Sequence, residues 1–119
     1  MEKTSDETVV MVFSGEYDLA SQQQVRRAFD SLALAGHAVL DFTGVTYIDS
    51  TVLSELVRLN ALRLERGLET VTLATANSNI RRVLSLVQLT DVLRVVESLD
   101  AAVSSNGRAP TITYADSYL

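Results

Sequence analysis

The chain has no cysteine. Disulfides, thiolate nucleophiles and thiolate metal sites are therefore excluded. Histidine occurs once, at His37, so no i, i+4 histidine pair exists to hold a metal. A lone histidine at the start of a strand is more often structural or solvated than catalytic. Gly-rich phosphate loops of the GxxxxGK or GxGxxG type are absent. No apolar run approaches the roughly 18 residues of a membrane span. Proline occurs only at Pro110, near the end of the chain. These absences argue against an enzyme, and no cofactor is expected.

What is present describes one globular domain. A length of 119 residues fits a single domain. An apolar share of 47% is enough for a packed core, and a chain of this size can bury roughly two thirds of its unfolded surface. The net charge is −5. Lys3 is the only lysine, and the other bases are scattered arginines. The pairs Arg26–Arg27 and Arg81–Arg82 are too short for a nucleic-acid stripe. An acidic surface with dispersed arginines suits a protein partner. The opening "MEKTSDE" lacks the basic start and apolar core of a secretory signal, so a cytoplasmic location is expected.

Along the chain, apolar β-branched runs alternate with amphipathic stretches. Thr8–Phe13 reads as a first strand. "SQQQ", Ser21 to Gln24, has the form of a capping box, followed by Val25, Ala28, Phe29 and Leu32 at helical spacing, with Gly36 closing the helix. His37–Thr43 reads as a second strand. Its adjacent Val39 and Leu40 imply cover on both faces, and Gly44 is expected to break it. A second helix runs from Ser50 to about Arg66, with Gly67 beyond it. Thr70–Ala74 is a third strand. Asn77–Asn79 caps a third helix with Ile80, Val83, Leu84 and Val87. Val92–Val96 is a fourth strand, and "ESLDAAV" opens a short last helix. The expectation is an α/β domain over residues 1–104 with a mostly parallel sheet of about four strands. Residues 105–119 are expected to form a tail that leaves the domain, with Tyr114 and Tyr118 able to pack back.

The junction "YIDSTVLSEL", Tyr47 to Leu56, places Asp49, Ser50 and Thr51 between a strand and a helix. One reading is a helix cap, worth typically ~1 kcal/mol. The other uses the same physics for regulation. A hydroxyl beside unpaired N–H groups at the positive end of a helix is a favourable place for a phosphate, which adds about −1.5 to −2 charges. On a helical wheel Leu53, Leu56, Val57, Ala61 and Leu64 gather as an expected core face. Thr51, Ser54, Glu55, Arg58 and Leu62 fall opposite, with Leu59 beside them, as an expected docking strip. Arg58→Glu and Leu62→Asp are expected to weaken partner binding without unfolding the domain.

Four motifs in order carry a family resemblance: "GEYD" at Gly15–Asp18, "DFTG" at Asp41–Gly44, "IDSTVL" at Ile48–Leu53, and the stretch Asn79–Leu89. Together they resemble the STAS domain, whose best-understood members are bacterial anti-sigma factor antagonists. The resemblance spans about Thr8 to Ser104. It implies that Thr51 is the phospho-acceptor, with Ser50 as second choice, Asp49 as the motif acid and Asp18 as the turn aspartate near the acceptor. Two departures stand out: Val52 replaces the glycine after the acceptor, and Tyr17 replaces a leucine. Val52 is expected to add bulk beside Thr51 and stiffen the first turn, either hindering a kinase or retuning which partner fits.

The resemblance implies a protein-binding switch. The unmodified domain would bind an anti-sigma factor that is a serine/threonine kinase and so free a sigma factor. The kinase would phosphorylate Thr51 and end the complex, and a phosphatase would reset it. The partner surface would draw on Asp18, Asp49, Ser50, Thr51, Ser54, Glu55, Arg58 and Leu62. The alternative is a STAS adaptor that is never phosphorylated, working in a transport or stress-signalling complex. A response-regulator receiver domain has similar size and alternation but needs a late lysine, and none is present.

Overall fold

A computed structural model describes residues 7–103 and 109–119. Strand β1 (Thr8–Tyr17) is followed by helix α1 (Gln22–Asp30), β2 (His37–Ile48), α2 (Ser50–Glu65) and β3 (Thr72–Ala74). Then come α3 (Ser78–Leu86), β4 (Arg94–Val96), α4 (Leu99–Val103) and β5 (Thr111–Tyr114). Short 3-10 turns lie at Leu19–Ser21, Leu89–Asp91 and Ala115–Tyr118. The sheet has five strands in the order β4-β3-β2-β1-β5, every neighbouring pair parallel.

The fifth strand corrects the expectation for the end of the chain. Thr111–Tyr114 does not leave the domain but pairs with Val9–Val12 at the sheet edge. The turn after it packs on α1: Gln24 Nε2 donates to the Ala115 carbonyl at 3.1 Å and Arg27 Nη2 to the Tyr118 carbonyl at 2.8 Å. Ala115 is fully buried, which anchors the segment by apolar contact as well. Tyr118 packs against the core, whereas Tyr114 is exposed. The expected boundary at 104/105 lies outside the described residues.

Three local expectations also change. Gly44 does not end β2, which continues to Ile48. Its lack of a side chain lets β1 approach: a Cβ there would stand 3.3 Å from the Ser14 Cβ. The β1–β2 register shifts on either side of this point, and Gly15 takes a φ of +90° between the irregularities. Ser21 makes no side-chain cap bond. Asp18 instead opens the 3-10 turn before α1, and Gln24 is committed to Ala115. Gly36 does not close α1, which stops at Asp30. The second helix does end as its glycine suggests. Gly67, with φ +74°, donates to the Leu64 carbonyl and Leu68 to the Arg63 carbonyl, each at 3.0 Å, a Schellman arrangement. Asn77 caps α3 through bonds from the Asn79 and Ile80 N–H groups.

The two sheet faces carry unequal loads. One buries Met11, Phe13, Leu40 and Phe42 under α1, α2 and α3. Phe13 meets Phe42 and Phe29 edge-on, with ring centroids 5.0 and 5.5 Å apart. The other face holds Val10, Val39 and Ala74 against Ala102 of α4.

Candidate partner-binding site

Parallel pairing brings the two motif acids together. Tyr17 of β1 is in register with Ile48 of β2, so the next residues, Asp18 and Asp49, stand side by side at the carboxyl end of the sheet. Each is extended and each starts a helical segment. Asp49 Oδ1 accepts from the Thr51 N–H at 2.9 Å, and its carbonyl accepts from Val52 and Leu53. Asp18 Oδ1 accepts from the Ala20 N–H at 3.0 Å. The capping work at the β2–α2 junction is therefore done by a carboxylate. Ser50 is exposed and Thr51 half-buried, and neither hydroxyl has a hydrogen-bond partner among the described residues. Ser54, one turn on from Ser50, is exposed.

Val52 does not crowd the acceptor. Its side chain turns inward and is buried in the core cluster with Leu56 and Leu59, so the added bulk replaces core volume rather than standing beside Thr51. Tyr17 is also buried. Its hydroxyl oxygen accepts from the Ser14 N–H at 3.1 Å, and its ring stacks edge-on against Phe13. Burial raises the Tyr17 phenol pKa, the Ser14 bond opposes this, and Asp116 raises it further.

The wheel for α2 is rotated from the expectation. Its buried residues are Val52, Glu55, Leu56, Leu59, Asn60 and Arg63, while Val57, Ala61 and Leu64 are exposed and Leu53 is half-buried. Glu55, expected in the docking strip, is 2% exposed. Arg26 of α1 grips its carboxylate through Nε at 3.1 Å and Nη2 at 2.9 Å. Arg58 bonds Asp30 at 2.7 Å and lies 3.6 Å from Glu55. The Asp30 bond raises the Arg58 pKa. Leu59 is fully buried and Leu62 half-buried. The expected Glu55–Arg58–Leu62 strip is thus the seam between α1 and α2. The reason is tertiary: α1 supplies charges that match Glu55 and Arg58. An Arg58→Glu change would set a carboxylate against Asp30 and Glu55, so it tests the fold as much as any partner.

Two buried polar residues were not legible in the periodicity. Arg63, with no exposed surface, donates to the carbonyls of Leu32, Ala35, Gly36 and Glu69 at 2.6–3.2 Å. It satisfies the end of the α1 segment that lacks a glycine cap. Burial lowers its pKa, with Glu69 opposing. Asn60 Oδ1 accepts from Thr70 Oγ1 and the Val71 N–H, fixing the entry to β3. One signal was available: Val52, Leu56, Leu59 and Arg63 lie on a single helical stripe, whose last member is the buried arginine.

On the other side of α2, a cleft of about 200 Å³ opens between the end of β2 and α3. Thr46, Tyr47, Ile48, Asn79, Ile80 and Val83 line it.

A family model described as "Mlab, STAS domain" matches residues 1–105. The chain belongs to the STAS family. The matched stretch stops before β5, so the strand that completes this STAS sheet lies beyond it. Among solved structures, the anti-sigma factor antagonist SpoIIAA in its unphosphorylated form is similar with a TM-score of 0.63 at 15% identity, over 85% of this chain and 87% of that one. A candidate anti-sigma factor antagonist from Thermotoga maritima is similar with a TM-score of 0.74 at 23% identity, over 89% and 92%. At these identities the likeness is one of fold. No curated protein matches the chain. Among the described residues no helix is long and apolar enough to cross a membrane.

Proposed function

We propose that this STAS domain is an anti-sigma factor antagonist controlled by phosphorylation of Thr51. Unmodified, it binds an anti-sigma factor that is also a serine/threonine kinase. The kinase transfers a phosphoryl group from ATP to the Thr51 hydroxyl, and the complex dissociates. A phosphatase hydrolyses the ester and restores the binder. In this reading the chain is substrate and ligand, not catalyst.

The observation that carries the reading is the division of labour at the α2 N-terminus. Asp49 occupies the cap, so the Thr51 hydroxyl holds no structural bond that modification would break. The fold tolerates the phosphate, and the positive end of the α2 dipole favours its charge. Glu55 follows one turn later and holds the half-exposed guanidinium of Arg26. A docked partner would have to strip the hydration of a dianion set beside the Asp49 carboxylate, which disfavours the complex.

The test is to incubate the intact chain with its cognate kinase and ATP and to map the product by mass spectrometry. One added phosphate at Thr51 is expected, with none in Thr51→Ala. Thr51→Glu should abolish binding of the kinase partner while Thr51→Ala retains it. An unmodified chain, together with full binding by Thr51→Glu, would overturn the switch and leave the constitutive adaptor.

A further inference from the structure

The sheet ends on two edges of different character. At one, β4 is three residues long and carries Arg94, whose guanidinium donates to the Ala101 and Ala102 carbonyls of α4 at 3.1 and 3.4 Å. That edge is short, charged and tied to a helix, which are usual guards against stray strand pairing. At the other, β5 reads Thr111-Ile112-Thr113-Tyr114 and has no charged residue. Among the described residues β1 is its only neighbour in the sheet. The Thr111 hydroxyl reaches the Glu7 carboxylate at 3.4 Å, a side-chain contact that leaves the backbone edge open. Half of the N–H and C=O groups of Thr111–Tyr114 therefore point away from β1 as a free edge.

This edge is held in place. Thr113 Oγ1 donates to the Val10 carbonyl at 3.2 Å, and the bonds from Gln24 and Arg27 clamp the turn that follows. Ala115 is fully buried directly after the strand. The edge is thus a fixed template. Strand parity puts Ile112 and Tyr114 on the same sheet face as Val10 and Val12, their register partners. Helix α4 packs chiefly over β2, β3 and β4 on that face, so its β5 end is open. Ile112 is 41% exposed there and Tyr114 56%.

We infer that the β5 edge pairs antiparallel with the same edge of a second copy of this chain, joining two five-stranded sheets across a two-fold axis normal to them. An extended strand is the occupant that satisfies a free backbone edge. The symmetry then fixes which side chains meet. Such an axis keeps the open faces of both copies on one side, so Ile112 and Tyr114 meet their own counterparts there. Thr111 and Thr113 meet theirs on the other face. Every cross-strand pair is apolar with apolar or hydroxyl with hydroxyl, and no β5 charge opposes its own image. A charged strand from another protein would find no counter-charge on β5. Four-residue strands bury less than the standard interface of about 1,600 Å², so the association is reversible. Antiparallel pairing sets the two α2 N-termini at opposite ends of the dimer, and the inference does not rest on the proposed switch.

The experiment is sedimentation velocity on the full chain from about 5 to about 500 µM, a range that brackets a weak dimer. The wild type is expected to pass from monomer to dimer across it. Ile112→Lys sets a charge against its own image and should stay monomeric throughout. Leu86→Asp, at a 71% exposed site on α3, should dimerise with an affinity within about twofold of wild type. Circular dichroism and urea unfolding check that both variants fold; both sites are exposed, so unchanged midpoints are expected. The chain has no cysteine, so single-cysteine variants give a second reading that does not need Ile112→Lys to fold. A short bismaleimide should join two chains of Ile112→Cys and leave Leu86→Cys single. A wild type that is monomeric at every concentration overturns the inference. So does a dimer that folded Ile112→Lys retains, a dimer that Leu86→Asp abolishes, or equal cross-linking of the two cysteine variants. A failed phosphorylation experiment leaves the dimer result standing, and the reverse holds.

Discussion

The two flanks of α2 differ in a way that inverts the usual expectation. The flank against α1 carries Glu55 and Arg58, held by Arg26 and Asp30, and Glu55 is almost completely buried. The flank toward α3 carries Leu53, Val57 and Leu64, and two of these three are more than half exposed. Charge is inside and aliphatic surface outside on one helix. Burial of a charge is tolerated where a neighbour supplies its partner, and the α1 side does so.

The largest effect that would sharpen this contrast is at Arg63, beneath the α1 side. Arg63→Met keeps the aliphatic stem and removes the donors to four carbonyls. A loss of about 3–5 kcal/mol is expected, read as a lower urea midpoint. Next is Arg26→Ala, which leaves Glu55 buried with only the longer Arg58 contact. Because Arg26 is half exposed, about 2 kcal/mol is expected in the same assay, below the figure for a fully buried pair. No loss there would mean that the charged seam is ornamental and the two flanks are energetically alike. Asp49→Ala removes the α2 cap and should cost about 1 kcal/mol. Ser50→Ala should cost much less, because its hydroxyl has no capping role. The smallest stability change is expected at Val57→Asp, under about 0.5 kcal/mol by thermal or urea unfolding. A large loss at Val57 would show that the apolar flank belongs to the core and would break the comparison outright.

The alternation of strands and amphipathic helices was legible because burial on both sheet faces writes itself as short apolar runs, as in Val39–Leu40, and because caps such as Asn77 and Gly67 are local devices. The junction was legible for the same reason: Asp49 caps the residues immediately after it. The face of α2 was not. Val52, Leu56 and Leu59 make one apolar stripe, and Leu53, Val57 and Leu64 make another about 100° away. Periodicity alone cannot choose between two such rows. The fifth strand was also missed, since a four-residue run after a proline has little local signature, and its stability comes from β1 and from Ala115 on α1.

The sequence by itself determined the βα rhythm, the place of each helix start and the motif that marks a STAS domain, because propensity, capping and turn chemistry act over a few neighbouring residues. Only the tertiary structure decided which stripe of α2 is core, that Glu55 and Arg63 are buried, that Val52 points away from Thr51, and that the chain's end closes the sheet. Those outcomes depend on partners tens of residues away in the chain, and no local pattern encodes which donor will meet which carbonyl.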